Sequence, residues 1–136
     1  MKYSTKTAAA ITAIISSLLL QNPANAKIER RIMSGGALGV IQCFYTPGGK
    51  TKVTWQVIVN DKNKPINGAK FDISMDGKTT TIFEGVIPPT TNYTIVETFE
   101  GLRKKAVISG DAFSLSLSGV HRYSLKTPLP VDCTRL

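Results

Sequence analysis

Apolar and polar residues alternate along much of this chain, most clearly over residues 52–60. There Val53, Trp55, Val57 and Val59 fall on one face and Thr54, Gln56, Ile58 and Asn60 on the other. A period of two marks a strand with one face in a core, so Trp55 is a core anchor. The same alternation predicts a strand over residues 69–75, with Ala69, Phe71, Ile73 and Met75 inward. It predicts another where Phe113, Leu115 and Leu117 alternate with Ser114, Ser116 and Ser118. Runs at 38–45, 78–84, 93–99, 102–109 and 120–126 are also rich in strand formers.

Turn chemistry punctuates these runs. Thr46-Pro47-Gly48-Gly49, the polar stretch 61–68, Glu100-Gly101 and Gly110-Asp111 each read as a reversal. Asp76-Gly77 suits the tight type I′ turn of a hairpin, which makes residues 78–84 a strand near a sheet edge. Pro88-Pro89 is expected to interrupt the ladder, because proline has no N–H to donate. The result is seven to nine short strands and no convincing helix beyond residue 26, an all-β antiparallel sandwich. A five-stranded barrel of the oligonucleotide-binding type is the alternative.

The first 26 residues break this pattern. Lys2 and Lys6 precede an uncharged run at 8–20, and Pro23-Ala24-Asn25-Ala26 supplies a breaker and a small-x-small step. That is the layout of a cleaved signal peptide, and the run is shorter than the roughly 20 residues a membrane-spanning helix needs. The expected organisation is a signal peptide at 1–26, a flexible leader at 27–36 and one domain at 37–136, with no transmembrane anchor after cleavage. Two cysteines, Cys43 and Cys133, remain near the ends of the mature chain. In an exported protein such a pair reads as one disulfide clasping the first strand to the last.

Charge adds a direction. Beyond residue 26 stand fifteen Lys and Arg against nine Asp and Glu, a net charge of +6. A basic surface steers toward anionic partners, such as lipopolysaccharide, an acidic glycan or an acidic protein, without specifying nucleic acid. Arg103, Lys104 and Lys105 are consecutive, and with Lys62 and Lys64 they form the candidate anion-binding set. Lysine on an exposed strand is also an ordinary defence against edge pairing.

Catalytic chemistry is sparse. His121 is the single histidine, so a nucleophile with an imidazole base depends on it alone, with Ser116, Ser118 or Ser124 as the nearby hydroxyls. No calcium-loop spacing is present, and with both cysteines bonded a zinc site lacks ligands. No metal, cofactor or catalytic residue is therefore expected.

Residues 57–73 (VIVNDKNKPINGAKFDI), with Asn92-Tyr93-Thr94-Ile95-Val96 and Gly101, resemble bacterial extracellular immunoglobulin-like and prealbumin-like sandwich modules. Lys64-Pro65-Ile66-Asn67-Gly68-Ala69 carries the resemblance, while Thr80-Thr81-Ile82-Phe83-Glu84-Gly85 departs from the turn such modules often place there. The resemblance implies a small immunoglobulin-like sandwich and no specific activity. The expected function is a non-enzymatic interaction protein of the cell envelope, such as an assembly accessory or a virulence-associated surface factor. An inhibitor presenting residues 85–91 to a hydrolase is the second expectation, and a small hydrolase built on His121 the third.

Overall fold

The computed structural model describes residues 27–135, so the expected signal peptide lies outside the described residues. Nine strands form two antiparallel sheets packed face to face, a sandwich rather than a closed barrel. The strands are β1 (Lys27–Met33), β2 (Ala37–Tyr45), β3 (Thr51–Val59), β4 (Ile66–Met75), β5 (Lys78–Thr90), β6 (Asn92–Phe99), β7 (Lys105–Ser116), β8 (Gly119–Ser124) and β9 (Leu129–Asp132). One sheet has the order β1-β2-β3-β6. The other has the order β5-β4-β7-β8, with β9 also paired to β7.

The inward face of β3 is the predicted one: Val53, Trp55, Val57 and Val59 are all buried. Trp55 meets Phe71 of the opposite sheet edge-on, with ring centroids 5.3 Å apart, and Phe71 stacks on Tyr93 at 6.0 Å. This aromatic chain ties β3 and β6 to β4 across the interior. Each such side chain contributes roughly 1.5–3 kcal/mol through burial. The outward alternates Thr54 and Gln56 are buried too. Because β3 lies between β2 and β6, neighbours flank these side chains on both sides, and Gln56 donates to Asn92 Oδ1 at 2.8 Å.

Four local expectations are corrected. Residues 27–33, read as a leader, pair with β2 along their whole length, from Lys27 opposite Cys43 to Met33 opposite Ala37. Their sparse apolar residues suffice because an edge strand is held largely by backbone pairing: Met33 is buried while Ile32 is exposed. Ile66, Asn67 and Gly68, read as part of a turn, belong to β4. Pro88 and Pro89 do not end β5. They fall in a bulge between the pairs Gly68–Val86 and Ile66–Thr90, where an edge strand needs no N–H from them.

Gly110-Asp111, read as a turn, lies inside the long strand β7, whose first residue is Lys105 rather than Leu102. Gly110 has φ 129°, and a Cβ there would collide with Lys70 O and the Phe71 backbone. Glycine thus bends β7 without breaking it and lets it press against β4. At this point β7 changes partner. Its first half, Lys105 to Ile108, pairs with β9, and its second half, Asp111 to Ser116, pairs with β8. Asp76 (φ 53°) and Gly77 (φ 80°) form the expected left-handed pair between β4 and β5.

The β1 side of the sandwich is laced shut. Ser34 and Ser124 form an isolated bridge, and Arg31 Nη1 donates to Thr127 O and Oγ1 at 2.7 and 2.6 Å. Farther along, Cys43 is bonded to Cys133 across a sequence separation of 90, and Tyr45 N donates to Thr134 O at 3.0 Å. The two predicted cysteines are bonded, but Cys43 lies on the second strand, because residues 27–33 add one ahead of it, and Cys133 directly follows the last strand, β9. Replacing both by serine is expected to lower stability by about 2–5 kcal/mol in denaturant titrations, a loss that reduction of the native protein reproduces. Gly110→Ala is expected to cost roughly 1–3 kcal/mol from the forced left-handed residue and the collision. Unchanged unfolding midpoints contradict these assignments.

Candidate interaction surfaces

The five candidate cations do not form one patch. Arg103 sits in the loop between β6 and β7, where its backbone N donates to Thr51 Oγ1 at 2.9 Å, at the first residue of β3. Lys62 and Lys64 follow the last residue of β3, in the loop leading to β4. The nine residues of β3 separate the two groups, roughly 30 Å of extended chain.

Arg103 is also occupied. Its guanidinium bonds Asp76 Oδ2 at 3.0 Å and Glu100 O at 2.9 Å, while its own carbonyl accepts from Tyr45 Oη at 2.7 Å. These contacts hold the β6–β7 loop against the β4–β5 turn. Lys104 accepts the Cys133 N–H through its carbonyl at 2.9 Å and leaves its side chain exposed. Lys105 is exposed and lies opposite Asp132 in the β7–β9 ladder. Although residues 102–109 read as one strand, Arg103 and Lys104 precede β7 and only Lys105 is in it.

His121 faces inward on β8. Its Nε2 lies 2.8 Å from Gly35 O, and its ring meets Tyr123 edge-on at 4.8 Å. The histidine thereby packs the β1–β2 turn onto the opposite sheet. Of the serines singled out near it, Ser116 and Ser118 bond each other at 3.0 Å, and the Ser124 backbone pairs with Ser34. Asp72 accepts from Thr81 Oγ1 at 2.7 Å, and Asp76 holds Arg103. Residues 85–91 do not project as a probe loop, since Gly85 to Thr90 continue β5 and Thr91 turns the corner into β6.

The strand that offers an open sheet edge is not legible in the sequence. In an antiparallel ladder, directly opposed residues alternate between exchanging both backbone bonds and exchanging none. Val59 N donates to Thr91 O at 3.0 Å, and the register places Val57, Trp55, Val53 and Thr51 opposite Tyr93, Ile95, Glu97 and Phe99. Those four β6 residues therefore turn their backbone groups toward β3. Asn92, Thr94, Val96 and Thr98 turn theirs away.

At Asn92 the outward groups are taken locally. Thr90 Oγ1 accepts from Asn92 N at 3.0 Å and donates to Asn92 O at 3.1 Å, as a neighbouring strand does. Beyond it, no described residue pairs with the outward backbone of Thr94, Val96 and Thr98. Half-buried Ile82, Phe83, Ile87 and Phe99 pack against the core, and Phe83 meets Tyr93 edge-on at 5.9 Å. The β5 and β6 edges lie on the side of the sandwich away from the β1–β9 lacing.

The other edges are blunted. Strand β1 carries Lys27, Glu29, Arg30 and Arg31, and β5 carries Lys78 and a bulge with two prolines. Strand β8 carries Arg122. Strand β6 has neither proline, lysine nor arginine, and its outward side chains are Asn92, Thr94, Val96 and Thr98. Charge, proline and bulges are the usual defences against edge pairing; β6 has no proline and no bulge, and its one charge, Glu97, lies on the face shared with Tyr93 and Ile95.

Among the described residues no group of His, Cys, Asp and Glu is arranged to hold a metal ion, and no helix is long and apolar enough to cross a membrane. No family model matches the chain, and no curated protein matches it either.

One ionisable group reports on the Lys62–Lys64 end. Burial pushes the Tyr123 phenol above its ordinary value, and the nearby Asp61 charge pushes the same way. The phenol donates to Lys64 O at 2.6 Å, a bond available only to the neutral form. The folded state thus holds its proton longer than the unfolded chain, whose tyrosine titrates near about 10. This contribution to stability is intact below about pH 10 and disappears as pH rises through the raised folded value. Urea titrations across that range are expected to show a steeper alkaline loss for the native protein than for Tyr123→Phe; parallel curves contradict the assignment.

Proposed function

We propose that this is a non-enzymatic exported protein of the bacterial cell envelope that binds a protein partner by accepting one of its extended segments along β6. The observation that carries the reading is the edge itself: three residues of outward backbone, without proline, bulge or a charge on the face they share, beside half-buried aromatic side chains. A strand added there forms main-chain bonds to Thr94, Val96 and Thr98. Its alternate side chains reach the Ile82, Phe83 and Phe99 flank, and the latter contacts supply selectivity.

Export is supported by two independent features. The lysine head, short apolar run and small-x-small step of residues 1–26 have the layout of a signal peptide, and the Cys43–Cys133 bond suits an oxidising compartment.

Thr94→Pro separates this function from folding. The substitution removes an outward N–H while the bonds between Ile95 and Trp55 remain, a placement that edge strands tolerate. A photo-crosslinking residue at position 98 is expected to capture one defined partner in native envelopes, with capture falling at least tenfold in Thr94→Pro while the melting temperature stays within a few degrees. Undiminished capture by a folded Thr94→Pro protein overturns strand addition.

A further inference from the structure

Six large apolar side chains are strongly exposed among the described residues, and four of them gather at the Lys62–Lys64 end: Val86, Leu115, Leu117 and Val120. Leu117 is fully exposed at the turn between β7 and β8, and Val86 is 79% exposed. Leu115 lies opposite Val120 in the β7–β8 ladder, on the face that points away from the core, so the alternation expected here is reversed: Ala112 and Ser114 are buried and Leu115 and Leu117 exposed.

Gly68 makes the strip continuous. It sits on β4 between Val86 of β5 and Phe113 of β7, and Leu115 Cδ1 lies 3.4 Å from where a Cβ of residue 68 would stand. The absent side chain lets Leu115 lean across β4 toward Val86. The apolar strip therefore crosses four strands, about 14 Å between the outermost pair.

Its surroundings are cationic or neutral at the tip. Residues 113–121 (FSLSLSGVH) contain no carboxylate. Arg122 lays its guanidinium over Phe113 at 4.8 Å from the ring centre and pairs with Asp111 at 2.7 Å. The Lys62–Lys64 loop is held to this end by Tyr123, which donates to Lys64 O, while Asn67 bonds both backbone groups of Leu115 at 2.7 and 2.9 Å. Lys62 and Lys64 are exposed. Of the acids on the strands and loop around the strip, Asp111 is held by Arg122, Asp61 accepts from Asn63 N, and Glu84 lies opposite Lys70 on β5.

We infer that the β7–β8 tip docks on a lipid surface bearing anionic headgroups, with Leu117 and Val120 entering the acyl boundary and Lys62 and Lys64 meeting the headgroups. A flat protein partner covers a face, whereas here the most exposed leucine stands at the apex of a turn, with small uncharged neighbours Ser116, Ser118 and Gly119. A few apolar side chains alone give only marginal, reversible membrane attachment, and a basic element beside them is the usual second contribution. Each lysine near an anionic surface is expected to add about fivefold to binding. The site is separate from the β6 edge, so docking at the tip leaves that edge available.

The test is sedimentation of the purified protein with phosphatidylcholine vesicles, with and without phosphatidylglycerol. Binding is expected to the anionic vesicles, weakening as salt rises. Leu117→Asp is expected to reduce it at least tenfold without a change in melting temperature, because that side chain makes no packing contact to lose. Lys62→Glu with Lys64→Glu is expected to reduce binding to anionic vesicles and leave any residual binding to neutral ones unchanged. Absence of binding, or equal binding by Leu117→Asp, overturns the inference. So does concentration-dependent self-association that Leu117→Asp abolishes without vesicles, which assigns the strip to contact between copies of this chain.

Discussion

Cys133 reaches Cys43 only because β9 lies along the first half of β7, and β9 has room there only because β8 ends opposite Asp111. The bend at Gly110 is where that exchange of partners occurs. A residue with a Cβ would meet Lys70 O and the Phe71 backbone there, so β7 would stand away from β4. Phe71 is the residue on which Trp55 and Tyr93 both rest, and the aromatic core and the disulfide thus depend on the same close approach. Ser124 and Thr127 then meet Ser34 and Arg31, which extends the closure along the β1 side.

One-sided closure shapes what the surface can do. On the β1 side Arg31 and Ser34 are tied to the far sheet, and the bulge at Pro88 and Pro89 spoils regular pairing along β5. Strand β6 keeps a regular register against β3 and has none of these devices. Its inward residues Tyr93 and Ile95 are buried, so the edge is stiff, and a stiff edge binds an extended segment with less ordering loss than a mobile one. The apolar β7–β8 tip lies at an end of the sandwich rather than along this side, which allows two attachments of different chemistry on one small domain.

The fold was legible where burial has a simple period. Residues 52–60 and 69–75 alternate cleanly because each presents one face to the core, and Asp76-Gly77 announced its turn because only a few residues accept two successive left-handed conformations. Legibility failed where glycine or proline sits inside a strand. Gly110 reads as a turn and is a bend under a close packing contact; Pro88-Pro89 reads as a stop and is a bulge on an edge. Residues 27–33 were missed because an edge strand with little apolar content is held by backbone pairing, which leaves no hydrophobic period to read.

The candidate cations show the same limit more sharply. Arg103, Lys104 and Lys105 are adjacent in sequence, yet one is spent holding a loop, one ties the terminal segment through its carbonyl and the third starts a strand. Lys62 and Lys64 lie at the other end of β3. The sequence by itself determined an all-β domain, the core face around Trp55 and the cysteine pair, because alternation, turn chemistry and cysteine count are local or compositional properties. The open edge, the meeting of exposed leucines and valines and the pairing of charges follow from the tertiary structure alone, because each depends on how separate strands and loops are brought into register.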